Sequence, residues 1–158
     1  MRRWESKGWV VQLVESDRAP YAYTVGLHER GLPELLVTGL SPQPAARMLN
    51  SVADYLVAGG RPIPGELISI AGDVLLGVVQ VQHPDAHMDV AVAFYGSELR
   101  ALQLVWPDDR GHRPWCPAFS NGDLRQPVLG VRAERPNPPN VKPLREFARK
   151  LATASRSP

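Results

Sequence analysis

Tyr21-Ala22-Tyr23-Thr24-Val25-Gly26-Leu27-His28-Glu29-Arg30-Gly31-Leu32-Pro33-Glu34-Leu35-Leu36-Val37-Thr38 is the stretch whose reading decides the fold. Tyr21, Tyr23 and Val25 alternate with Ala22, Thr24 and Gly26, the period-2 pattern of a strand. Glu34 to Thr38 is a short apolar run suited to a buried strand. Gly26 and Gly31 between them tolerate positive φ and Pro33 cannot donate to a ladder, so the chain turns there. That turn displays His28, Glu29 and Arg30 where two strands end.

Upstream, Gly8 to Val14 is a β-branched run with Trp9, Val11 and Leu13 on one face. The turn chemistry of Glu15 to Pro20 returns it antiparallel into the 21–26 strand, which predicts a three-stranded meander. Downstream, Ser41 is placed as an N-cap with Pro42 at the first helical position. Ala45, Met48, Leu49, Val52, Ala53 and Leu56 then recur at helical spacing up to the stop at Gly59-Gly60. This predicts a main helix over 42–58 covering the sheet. Strands are expected at Glu66 to Ala71, Val74 to Gln82 and Leu99 to Val105, with a turn at Gly72-Asp73 and a helix around 84–95. The segment 106–126 is rich in proline and polar residues but carries Trp106 and Trp115, so it is expected to fold back and pack. Residues 132–143 read as a Pro-rich spacer, and Leu144, Phe147, Ala148 and Leu151 as a short amphipathic stripe.

The fold class expected is α+β: a largely antiparallel sheet covered by the 42–58 helix, with one or two further short helices. Residues 1–131 form one domain in this reading, and 132–158 pack on it or fray. At 158 residues the chain is long enough to bury a core without disulfides. Its net charge of +2 is small and its eighteen Lys and Arg are scattered, which argues against a nucleic-acid partner. A lone Cys116, no signal-peptide pattern and no apolar run of membrane-spanning length point to a cytoplasmic protein with no membrane association.

Several motifs occur in order: Tyr23-Thr24-Val25-Gly26-Leu27, Pro33-Glu34-Leu35, Leu49-Asn50, Leu102-Gln103-Leu104-Val105-Trp106-Pro107-Asp108, Gly111 with Pro114-Trp115, and Gln126-Pro127-Val128-Leu129-Gly130. Together they resemble a bacterial family known as domain of unknown function 4262, over roughly residues 8–130. The resemblance supplies a family without an activity. A fainter likeness to suppressor-of-fused-like domains implies protein binding of an immunity type.

Two functional readings follow. The first is a small interaction module in which the rigid aromatic segment 106–117 meets a protein partner, with Trp115 and Arg110 or Arg113 as anchors. The second is a small-ligand protein or enzyme whose cleft joins the 26–34 and 106–126 loops, since a histidine oriented by a carboxylate is the smallest proton-transfer pair. Site candidates are Thr24, His28, Glu29, Glu34, Gln103, Trp106, Asp108, His112, Trp115 and Gln126. The plainer alternative is that Thr24 and Glu34 satisfy buried backbone groups or an arginine while His28 to Arg30 face water. No metal is expected, although His83 and His87, or His28 with Asp108 and His112, are the combinations a metal would need. No cofactor is specified: Gly-x-Gly-x-x-Gly and Walker loops are missing, and Trp106 and Trp115 are the side chains that could stack on a flavin.

Overall fold

The computed structural model describes residues 8–70 and 74–131, together with the backbone of 141–143. β1 (Val10–Val14), β2 (Tyr21–Val25) and β3 (Glu34–Thr38) form the expected meander, Val10 opposite Val25 and Tyr21 opposite Thr38. α1 (Pro42–Val57) follows, then β4 (Leu67–Ile70), β5 (Val74–Gln80), α2 (Asp89–Tyr95), β6 (Ala101–Val105) and β7 (Val141–Pro143). The strands make one sheet in the order β1-β2-β3-β6-β5-β4-β7. Two of its pairings, β3 with β6 and β4 with β7, are parallel, and the other four are antiparallel. A parallel neighbour requires a crossover, and α1 with the β4–β5 hairpin supplies it between β3 and β6.

α1 begins on Pro42, whose fixed φ and missing N–H suit the first helical position. Its buried residues, which include Ala45, Ala46, Leu49, Val52, Ala53, Tyr55 and Leu56, pack in one core with Val11, Ala22, Leu35, Val37, Leu102 and Leu104 of the sheet. Burying Leu49 and Leu56 alone contributes roughly 1.5–3 kcal/mol each. The Trp9 indole adds a polar tie, donating from Nε1 to Asn50 Oδ1 at 2.9 Å. On the opposite face Ala91 of α2 and the preceding Met88 pack with Tyr23, Val25, Leu36 and Ala101. Because α1 and α2 sandwich the middle of the sheet, every residue of β3 and β6 is buried.

The helix expected around 84–95 divides into a 3-10 turn, Pro84–Ala86, and α2. His83 enters with φ 55, Pro84 opens the turn, and Met88 at φ −118 breaks the helical path as its side chain is buried. The spacer reading fails at 141–143, which pair in parallel with β4. The turn expected at Gly72-Asp73 and the stripe from Leu144 to Leu151 lie outside the described residues.

Candidate functional site

The parallel pairing of β3 with β6 decides which loops can meet. Glu34 lies opposite Ala101, so the 26–33 loop entering β3 sits at the amino ends of both strands. The 106–126 loop leaves the carboxyl end of β6, beside Thr38. Five-residue strands at ~3.3 Å per residue hold these two ends roughly 15 Å apart. The single cleft expected between the loops is therefore not formed, and the candidate residues separate into two groups.

At the amino ends, Glu34 is fully buried and accepts four hydrogen bonds: from Thr24 Oγ1 at 2.8 Å and from the backbone N–H groups of Gly26, Leu27 and His28 at 2.9, 3.2 and 3.1 Å. Thr24 Oγ1 in turn accepts from the Leu35 N–H at 2.8 Å. The carboxylate thus satisfies the orphan donors of the 3-10 turn Leu27–Arg30 and fixes its shape. Burial pushes the Glu34 pKa above the usual carboxylate value, against the downward pull of those donors. Gly26 at φ 133 allows the turn: a Cβ there would lie 2.6 Å from Gly8 O. His28 and Glu29 are exposed; the His28 ring stacks on Tyr95 at 4.6 Å, and the Tyr95 hydroxyl donates to Glu29 Oε2 at 2.6 Å. Burial and that bond to Glu29 hold the Tyr95 hydroxyl above its ordinary pKa.

At the carboxyl ends, Gln103, Trp106, Asp108 and Gln126 build the loop. Gln103 donates to Pro127 O at 2.8 Å and to Thr38 Oγ1 at 3.3 Å, and accepts from Leu129 N–H at 2.7 Å. Gln126 pairs with the Trp106 backbone through both ends of its amide, each bond 3.0 Å. Trp106 itself is buried, donates from Nε1 to Thr38 O at 2.8 Å, and packs against Phe119. Asp108 gathers the tip: Oδ1 accepts from the Arg110 and His112 N–H groups at 2.9 and 2.8 Å, and Oδ2 from Ser120 N–H at 3.0 Å. The His112 ring lies 3.1 Å from Oδ2. Desolvation raises the Asp108 pKa, but the hydrogen bonds from His112, Ser120 and Arg110 outweigh it and bring the value to about 2. Trp115, on the same loop, is 41% exposed, and Arg110, five positions earlier, is exposed as well.

The Asp108 shift makes a pH prediction. A depressed folded pKa contributes stability that is complete above the unfolded value of 3.8 and is lost as pH falls through about 2. The amides of Arg110, His112 and Ser120 should keep their native shifts at pH 4 and lose them near pH 2. The stability difference between the wild type and Asp108→Asn should shrink over the same window. An amide-shift titration of both proteins reads this directly.

The loop end also carries a groove that sequence reasoning did not identify. Leu13, Tyr21, Leu40, Pro42, Ala45 and Leu124 are among the residues lining a half-open, mainly apolar space of about 350 Å³. Asp17 lines both this groove and a neighbouring polar recess of about 490 Å³, whose other walls are Arg18, Gly122, Asp123 and Arg125. Two bonds seat the loop here: Arg125 N–H donates to Arg18 O at 2.5 Å, and Asn121 Nδ2 to Gly39 O at 2.9 Å. In the sequence, residues 15–20 carry only turn chemistry, and nothing pairs Arg18 with a residue a hundred positions on. Gly39 is the close approach that permits the seat, at φ 81 with Arg125 O only 2.7 Å from where a Cβ would be. Gly39→Ala should cost about 3 kcal/mol from left-handed strain plus backbone clash. Urea denaturation should show that loss, with faster amide exchange at Arg125.

One histidine–carboxylate pair forms, His112 with Asp108 at 3.1 Å, but Glu34 is occupied by Thr24 and backbone donors, and His28 and His112 lie at opposite ends of the sheet. The trio His28, Asp108 and His112 therefore cannot share a ligand. His83 and His87 flank the 3-10 turn rather than stacking along one helix face, and no three His, Cys, Asp or Glu side chains among the described residues come together as metal ligands. No helix among the described residues is long and apolar enough to cross a membrane.

Fold and site thus define an α+β domain with a mixed sheet, sandwiched between helices and carrying a loop-built groove at the carboxyl ends of its central strands. The family model described as "Domain of unknown function (DUF4262)" matches residues 4–120, and the chain belongs to this family. No curated protein and no solved structure matches the chain.

Proposed function

We propose that this protein is a small cytoplasmic, bacterial binding module that engages a protein partner through the surface at the carboxyl ends of β3 and β6. The observation that carries the reading is the groove, which has an apolar floor of core side chains and a wall supplied by a loop pinned at Asp108, Gln103 and Gln126. A rigid loop loses little conformational freedom on binding, and an exposed tryptophan on it is the type of side chain that anchors interfaces. Trp115 supplies that side chain. An acid–base reading has less support, because Glu34 is spent on Thr24 and backbone donors, and the His112–Asp108 pair lines neither the groove nor the recess beside it.

A synthetic peptide array carrying both internal and C-terminal sequences, probed with the full chain, tests this. Bound peptides should shift the amides of Leu13, Tyr21, Leu40 and Leu124, and Leu124→Asp should weaken them at least about tenfold. Failure of every peptide to bind, or shifts confined to residues 28–34 and 95–100, would overturn the proposal.

A further inference from the structure

The polar recess is lined by two acids, Asp17 and Asp123, and two arginines, Arg18 and Arg125. All four are exposed. Among the described residues none of them forms a salt bridge, although opposite charges stand around one space. The Arg125 N–H to Arg18 O bond joins the β1–β2 turn to the 121–126 segment, so that both arginines line the one recess. The recess meets the apolar groove at Asp17. The ligand that matches this surface is amphiphilic over a few ångströms: a bulky apolar side chain beside an anionic group, with a cationic group close by.

We infer that the groove takes the C-terminal end of a partner polypeptide. Its last residue is apolar and fills the space between Leu13, Tyr21, Leu40 and Leu124. Its α-carboxylate lies on Arg18 and Arg125, and a basic side chain one or two positions earlier faces Asp17 and Asp123. Three considerations support an end over an internal segment. An α-carboxylate sits one bond from the Cα that carries the apolar side chain, which fits two adjoining recesses. Arginine presents a planar fork of donors that matches a carboxylate in two parallel bonds. The acids stand ready for a cation, so a purely anionic ligand would meet repulsion as well as attraction. This inference rests on the binding reading above and names what is bound.

The experiment uses the full chain and pools of N-acetylated hexapeptides ending in Leu, Ile, Met or Phe with Lys two positions earlier, each made as the free acid and as the C-terminal amide. Fluorescence polarisation should show the acids binding roughly tenfold or more tightly than the amides, the scale of one charge-assisted contact. Arg18→Gln and Arg125→Gln should each weaken the acids while leaving the amides unchanged; both side chains are exposed, so folding is not at risk. Asp17→Asn with Asp123→Asn should erase the preference for Lys over norleucine. Acids and amides binding equally in the groove would overturn the C-terminal assignment and leave the binding reading standing. An absence of groove shifts with both sets, and with the peptide array, would remove both. Equal binding of the free apolar amino acids and the peptides would also overturn it, by making the ligand a small molecule.

Discussion

Glu34→Ala should remove about 4 kcal/mol of folding stability, read as the fall in unfolding free energy by urea denaturation. The fully buried carboxylate accepts from four donors, and deletion leaves the buried N–H groups of Gly26 and Leu27, the part-buried N–H of His28 and the Thr24 hydroxyl without that acceptor. A domain of this length holds roughly 5–15 kcal/mol in total, so the loss is a large part of it. Glu34→Gln separates the carboxylate from its mere volume. One amide oxygen can still serve Thr24 and Leu27, but the amide nitrogen then faces the Gly26 and His28 N–H groups, donor against donor. A loss of about 2 kcal/mol is expected from this variant. If its stability matched the wild type, the carboxylate would not be what holds the 27–30 turn.

The second large effect is Trp106→Ala, expected to cost about 4 kcal/mol from lost burial and the cavity left between Leu104, Phe119 and the sheet. The indole is 6% exposed and its N–H holds the last carbonyl of β3. The loss is also local: amide exchange in residues 107–126 should rise more than in β1 or α1, because that loop hangs from Trp106 and its partner Gln126. Trp106→Phe keeps most of the apolar contact and leaves Thr38 O unpaired, so it should cost about 1 kcal/mol and spare the loop. Uniform acceleration across all strands in both variants would mean that the indole supports the core without organising the loop.

Those two positions also mark what the sequence discloses. Pro42, the Ala45 to Leu56 spacing and Gly59-Gly60 are local signals, and the helix they announce is observed at Pro42–Val57. The meander was legible for the same reason, since each turn joins neighbours in the chain. Of the two plainer partners expected for Thr24 and Glu34, buried backbone groups or an arginine, the hydrogen bonds at the amino end of β3 display the first. The partnership of β3 with β6 was not legible. Leu35-Leu36-Val37 and Leu102-Gln103-Leu104 are both apolar runs, and neither carries a mark of the other or of a parallel orientation. That one pairing sends the 26–33 and 106–126 loops to opposite ends and divides the candidate residues between them. The groove was hidden for a related reason: its walls come from three separate stretches, 13–22, 40–45 and Leu124, each ordinary by itself.

β3 and β6 pair although about sixty residues separate them in the chain. Such a contact closes a long loop and comes late, after the meander and α1 have local reasons to form. A chain emerging from the ribosome therefore displays Leu13, Tyr21 and Leu40 well before Leu124 arrives to wall them in. Competence to recognise a partner is acquired only near the end of synthesis, and until then the same apolar floor is a surface that chaperones would have to shield.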